Sequence, residues 1–431
     1  MKPTFLIPLL LFAIVTLHTY GQSTSRSPKA KKEWVAYAQQ VAVPISSRDS
    51  DDFSDLQFLI EQIGDKRIVW LGENVHDIND NNVLKFRLIR FLHQEMGYNV
   101  VAFEGGVSNC GLANMAKDSL SSMRLLVHSV MGYWRVKSNC QMFDYIEGSG
   151  MEIAGFDPNN NALYLPRERY HQLLPGNAAL ADQYFTADSM HTHYALERGQ
   201  HYHAGKMNQA TAAAMDARRA PLQALYKQIS QQLQKVYEQQ QLSEHEYQIH
   251  QQAIASRLQV LKKANTNIKA EHEFFVTHNE RDSLMAKNLE YMADSIYPDQ
   301  KIIVWAHNGH IAKKGYLRAN NHVAMGDYLS KKHKAQSFVM GIFTTRHYLK
   351  SKEDRNSLEA VMAHVSHQTS YIPIPAGATI TDSNQWLYSL IRHSYFSKKQ
   401  LPPAALFDGI LFLQDVEKSK LIPFNKEFEC K

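Results

Sequence analysis

Two short runs of strand character, "RIVWL" at 67–71 and "YNVVAF" at 98–103, flank a segment whose apolar residues repeat at helical spacing. This arrangement limits the fold more than any other feature of the chain. From about residue 80 to residue 96, Leu84, Leu88, Phe91 and Leu92 share one helical face, and Gly97 supplies a stop. Strand, helix and strand in this order form a βαβ unit. Its strands are parallel, so both end at the same edge of the sheet. Further strands are expected around 153–156, over 302–305, in "QSFVMGIFTT" and in "FDGILFLQD". The expectation is an α/β fold, with a mostly parallel β-sheet flanked by helices. With 431 residues, 44% of them apolar, the chain can build one large domain or two smaller ones.

Ahead of this unit, "DDFSDLQFLIEQIG" predicts a capped helix with Leu56, Leu59 and Ile60 on one face and a stop at Gly64. The first residues combine Lys2, an apolar run from Phe5 to Leu17, and Thr19 and Gly21 placed for signal peptidase. Residues 1–21 are therefore expected to be a signal peptide cleaved near Gly21, with an uncleaved anchor as the alternative. No later stretch approaches the roughly 20 apolar residues of a membrane span. An exported protein, periplasmic or secreted, is expected, with its domain at 34–425. Within it, Leu222, Leu225, Tyr226, Ile229, Leu233, Val236 and Tyr237 mark a long amphipathic helix, and Ser243 with Glu246 forms a capping box for a second. A helical insertion over about 165–275 follows from this pattern. Cys110 and Cys140 could pair, leaving Cys430, or all three cysteines could be unpaired.

The polar residues at the strand ends carry the chemistry. Glu73 and His76 follow the first strand in "LGENVHD", Glu104 closes the second, Asp157 the third, and His307 and His310 follow the fourth in "WAHNGHI". Open α/β sheets bind ligands at this edge. A structural role for Glu73 and His76 alone is an even alternative, and Asp157 reads better as a turn former. Arrival of Glu104, His307 and His310 from distant parts of the chain favours general acid–base work, in which a carboxylate orients an imidazole that takes a proton from water. Lys85 and Arg87, on the helix after His76, are weaker candidates, because most basic residues at such places are solvated.

Other chemistries find little support. The formal charge is +5, and basic and acidic residues are interspersed, so no nucleic-acid partner is expected. GxSxG, Walker and dinucleotide fingerprints are missing, and "EGSGM" around Ser149 lacks the first glycine of a nucleophile elbow. His191, His193, His201 and His203 could bind a metal in pairs but read better as a solvated stretch of the insertion.

The blocks "LGENVHDINDNNVLKFRLIRFLHQEMGYNVVAFEGG", "RDSLMAKNLEYM" and "KIIVWAHNGHI" resemble those of the erythromycin esterase family, in order, over about residues 60–415. The resemblance implies a hydrolase that opens macrolide lactones with activated water, is metal-independent or has no demonstrated need for metal, and uses no other cofactor. It puts the general base at His76, its acidic partner at Glu73, a second carboxylate at Glu104 and a histidine pair at His307 and His310. The family's basic residue on the first helix, arginine in macrolide-active members, falls on Lys85, which keeps the charge and loses the bidentate fork. Asp77 stands where glycine or an aromatic residue is usual and is expected to raise the pKa of His76. Glu104, His307, His310 and Lys85 are expected to position water and stabilise the oxyanion. The expected partner is a small-molecule ester or lactone. Two alternatives stay open: the same residues as ligands of a catalytic divalent metal, as in wider relatives that are metal-dependent peptidases, and an envelope binding protein without turnover.

Overall fold

The structure, a computed structural model, describes residues 30–159, 162–206, 208–262, 271–315, 322–344, 357–389, 391–392 and 400–422. The expected signal segment and Cys430 lie outside them. Ten strands are described: β1 (Val43–Pro44), β2 (Ile68–Leu71), β3 (Tyr98–Gly106), β4 (Glu152–Asp157), β5 (Lys301–Trp305), β6 (Ser337–Thr344), β7 (Thr369–Pro373), β8 (Ile391–Arg392), β9 (Gln400–Leu401) and β10 (Gly409–Leu413). Eight form one sheet in the order β1-β7-β10-β6-β2-β5-β3-β4, while β8 and β9 pair separately. From β10 to β4 every pairing is parallel, and β7 and β1 add an antiparallel margin. The mostly parallel α/β architecture is thus present, with β1 and β7 as strands the sequence did not announce.

Near-continuous apolar runs suit strands buried on both faces. Val69, Leu71, Val101, Phe103, Ile153, Ile303 and Trp305 face one apolar core, and Ile68, Trp70, Val100, Ala102, Phe156, Ile302 and Val304 face the other. Helix Asn79–Met96 lays Leu84, Leu88, Phe91 and Leu92 on the first, and Gly97 in the left-handed region ends it. Helix Glu271–Tyr291 contributes Met285 and Leu289 to the second. Helix Phe58–Ile63 buries Leu59 and Ile63 but leaves Ile60 exposed, a correction to the expected face.

Between β4 and β5 the chain is helical: Arg167–Leu173, Ala178–His203, Gln209–Ala217, Arg219–Glu238, Glu244–Lys262 and Glu271–Tyr291. The capping box is realised, Ser243 N–H donating to the Glu246 carboxylate at 2.8 Å and Glu246 N–H to Ser243 Oγ at 3.2 Å. One buried carboxylate joins four of these helices. Asp188 accepts from Tyr170 Oη (2.8 Å), Tyr226 Oη (2.6 Å) and Arg257 Nε (3.2 Å).

The cysteines follow neither open reading. Cys140 is disulfide-bonded, whereas Cys110 is a buried free thiol directed at Ser129 O, 3.1 Å away. A Cys110–Cys140 bridge is therefore ruled out.

Candidate active site

The site begins where β2 ends. Gly72 has no side chain because a Cβ there would sit 1.9 Å from Asn308 Oδ1. Asn308 donates its Nδ2 to Ile342 O (2.8 Å), and its backbone N–H donates to Glu73 O (2.7 Å), so the turns after β2 and β5 lock to each other and to β6. This fixes Glu73. Its Oε1 accepts from His76 Nδ1 (2.6 Å) and Trp134 Nε1 (2.9 Å), and its Oε2 from Lys85 Nζ (2.8 Å). Burial opposes ionisation of Glu73, but the charge of Lys85 and the bond from His76 outweigh it and hold the carboxyl below its usual range.

His76 lies at the edge of this cluster with 30% of its side chain exposed. Tyr133 stacks on its ring (centroids 5.5 Å apart), Trp134 meets it edge-on (5.7 Å), and the His307 ring is 5.1 Å away. Burial works against the imidazolium, yet the hydrogen bond and charge of Glu73, helped by Glu104, raise its pKa above 6.5. Asp77 does not supply this shift. Its carboxylate faces Lys418 at 3.2 Å, which corrects the expectation placed on it.

A β-bulge delivers Glu104. Phe103 pairs with Gly155 and Gly106 with Asp157, so two residues of β3 oppose one of β4. Gly155 is required there, since a Cβ would stand 2.7 Å from the carbonyls of Gly105 and Gly106. Glu104 Oε2 accepts the His307 backbone N–H (3.0 Å), and Oε1 accepts from Arg281 Nη2 (2.9 Å) with His310 Nε2 at 3.3 Å. Burial again opposes the charge, and His310 and Arg281 overcome it, leaving Glu104 ionised well below its ordinary range.

The two histidines after β5 are in opposite states. His307 caps helix Asn308–Ile311, its Nδ1 accepting Gly309 N–H (2.9 Å), so its proton sits on Nε2, 3.1 Å from Asn74 O. Burial, reinforced by the charges of His76 and His310, holds it down at about 3. His310 Nδ1 lies 2.5 Å from Asp282 Oδ1. There burial is overcome by Asp282 and Glu104, and the imidazole is pushed up to about 10, with Asp282 lowered to about 2.

All six candidates, Glu73, His76, Lys85, Glu104, His307 and His310, thus gather at one sheet edge. Lys85 does not face the opening: its side chain is fully buried, and Nζ lies 4.2 Å from the Trp305 ring centroid. Its role is to hold Glu73. Arg87 is structural, bonded to Ser50 O, Ser47 O and Asp55. Asp157 both forms its turn, accepting Asn159 N–H, and holds Arg281. Among the histidines read as solvated, His193 is exposed, but His191 is buried against Tyr226, and the His203 side chain lies outside the described residues. Among the described residues, no group of three or more His, Cys, Asp or Glu side chains is disposed to hold a metal.

Sequence reasoning missed Trp134, Asp282 and Arg281. Trp134 comes from a turn with no signature. Arg281 and Asp282 sit in "RDSLMAKNLEYM", one turn before the buried stripe of Met285 and Leu289, and a charge pair abutting an apolar stripe was the available signal.

Residues 93–416 match the erythromycin esterase family. The chain belongs to that family. The matched span begins inside helix Asn79–Met96, after the Glu73–His76 turn. A putative hydrolase of Bacillus subtilis (strain 168) is 24% identical, with 96% of this chain and 98% of that protein aligned. A Bacillus cereus protein of known structure superposes with a TM-score of 0.66 at 16% identity, covering 92% of this chain and all of that one. A variant of an erythromycin esterase in its open conformation gives 0.55 at 16% identity, over 86% of this chain and 96% of that one. At these identities the structural likeness establishes the fold. No helix of the described residues is long and apolar enough to cross a membrane.

Proposed function

We propose that this member of the erythromycin esterase family is a hydrolase of carboxylic esters, with macrolide lactones the leading substrate class, and that His76 is its general base. One observation carries the reading: Glu73 fixes His76 Nδ1 at 2.6 Å, and Nε2 has no protein partner among the described residues on a ring that is 30% exposed. The tautomer is thereby set, with the lone pair on Nε2. As water oxygen adds to the ester carbonyl, Nε2 takes its proton. When the tetrahedral adduct collapses, Nε2–H protonates the departing alkoxide, giving acid and alcohol and restoring neutral His76. Trp134 and Lys85 hold Glu73 ionised throughout.

The family and the curated hydrolase relative support hydrolysis, and the erythromycin esterase neighbour supports the lactone class. A metal-free mechanism accords with the bracing of both carboxylates by N–H donors, at least one on each oxygen of Glu73 and Glu104. Action outside the cytoplasm accords with the amino-terminal apolar run and the disulfide at Cys140.

The test is hydrolysis of a panel of macrolides and aryl esters by wild type and His76→Ala, followed by mass spectrometry with and without chelator. Chelator-insensitive addition of one water, reduced by roughly 10²- to 10⁴-fold in the variant, is expected. Stoichiometric retained metal with chelator-sensitive turnover would favour the metal-ligand reading. Thermal stabilisation by a panel member without product would favour a binding protein.

A further inference from the structure

We infer that Arg281, and not the first-helix cation Lys85, is the catalytic residue that meets the substrate's carbonyl oxygen and stabilises the oxyanion. The inference rests on the His76 reading and adds the electrophilic half of the site.

The argument is a count of donors. A guanidinium has five N–H groups in a fixed plane. Arg281 Nε faces Asp157 Oδ1 at 3.2 Å, and Nη2 reaches Asp157 Oδ2 at 2.6 Å and Glu104 Oε1 at 2.9 Å. Three of the five are thus spent on two buried carboxylates, which fix the plane. Nη1 has no oxygen acceptor among the described residues; its neighbour is His310 Nε2 at 3.1 Å. Asp282 and Glu104 favour the protonated state of His310, and a protonated Nε2 cannot accept. Even a neutral His310 would occupy only one of the two Nη1–H groups.

Exposure selects the same residue. Lys85 is fully buried and bonded to Glu73, and the His310 side chain is 8% exposed, whereas Arg281 is 20% exposed. Glu104 ties the two halves together, since it bonds Arg281 and its charge also acts on His76. A preorganised cationic donor at the same sheet edge as a general base is what addition of water to a carbonyl needs, because negative charge develops on that oxygen only in the transition state. Lysine at position 85 is tolerable on this account, because the residue there braces a carboxylate and does not fork onto substrate.

Arg281→Lys and Arg281→Ala should be measured with p-nitrophenyl butyrate and erythromycin as substrates, and with p-nitrophenyl methylphosphonate, a stable tetrahedral anion, in calorimetry. Arg281→Lys keeps a cation for Asp157 and Glu104, so it separates chemistry from folding. The expected result is a drop in kcat of about 10²–10³ with KM changed less than fivefold, and phosphonate affinity lowered at least tenfold. Guanidinium ion at millimolar concentration should partly restore turnover in Arg281→Ala. Retention of kcat and phosphonate affinity within threefold by a folded Arg281→Lys, while His76→Ala is inactive, overturns the inference and leaves the base assignment standing. An active His76→Ala, or a wild type that neither hydrolyses nor binds these probes, overturns the base reading and this inference with it.

Discussion

Glu73 accepts from an imidazole, an indole and an ammonium group, and this bracing makes His76 a directed base. The acid limb of kcat/KM should consequently titrate above 6.5, because the base must be neutral to act and Glu73 raises its pKa. Lys85→Met should move that limb to higher pH, since the ammonium charge works against protonation of His76, whereas Glu73→Gln should move it lower. Profiles of the three proteins check both signs; unmoved limbs would detach His76 from the rate. Trp134→Phe removes one hydrogen bond to a buried charge and should cost roughly 1.5–3 kcal/mol in denaturant unfolding.

At the scale of elements, the sheet edge gathers the site while the helices between β4 and β5 hold together around Asp188. Asp188→Asn should destabilise by about 3–5 kcal/mol, because it breaks a buried ion pair with Arg257 and weakens the bonds from two buried tyrosine hydroxyls. His250 and His191 are buried against tyrosine rings, with no hydrogen-bond partner for their ring nitrogens among the described residues. Burial pushes His250 down to about 4 and His191 well below its usual value. The unfolded chain takes up these protons near 6.5, so the stability they contribute is present above that pH and is lost as pH falls toward 4. Circular dichroism melts between pH 7 and 4 should show this loss, and His250→Leu should reduce it. The elements legible in the sequence were those with long apolar runs and turn residues at their ends, β2 to β6 and β10. β1 has two residues and β7 ends in Pro373, so neither offers a period to read. The same logic sorts the site: Glu73, His76, Glu104, His307 and His310 stand next to strand ends in sequence, whereas Trp134 and Arg281 reach the edge from a turn and a helix and meet it only in three dimensions.

For the molecule as a whole, one covalent link and one reaction remain to be tested. Reductant should lower the melting temperature by an amount equivalent to about 2–4 kcal/mol, and Cys140→Ser should abolish that response while Cys110→Ser preserves it. The central claim is that water activated by His76 attacks the ester directly. It is tested most directly by single-turnover hydrolysis in heavy-oxygen water, with mass spectrometry of both product and digested enzyme. The account predicts one heavy oxygen in the acid product, none in the peptides carrying Glu73 or Glu104, and no labelled product on the same timescale with His76→Asn. Label in either glutamate, or a His76→Asn protein that turns over at the wild-type rate, would contradict it.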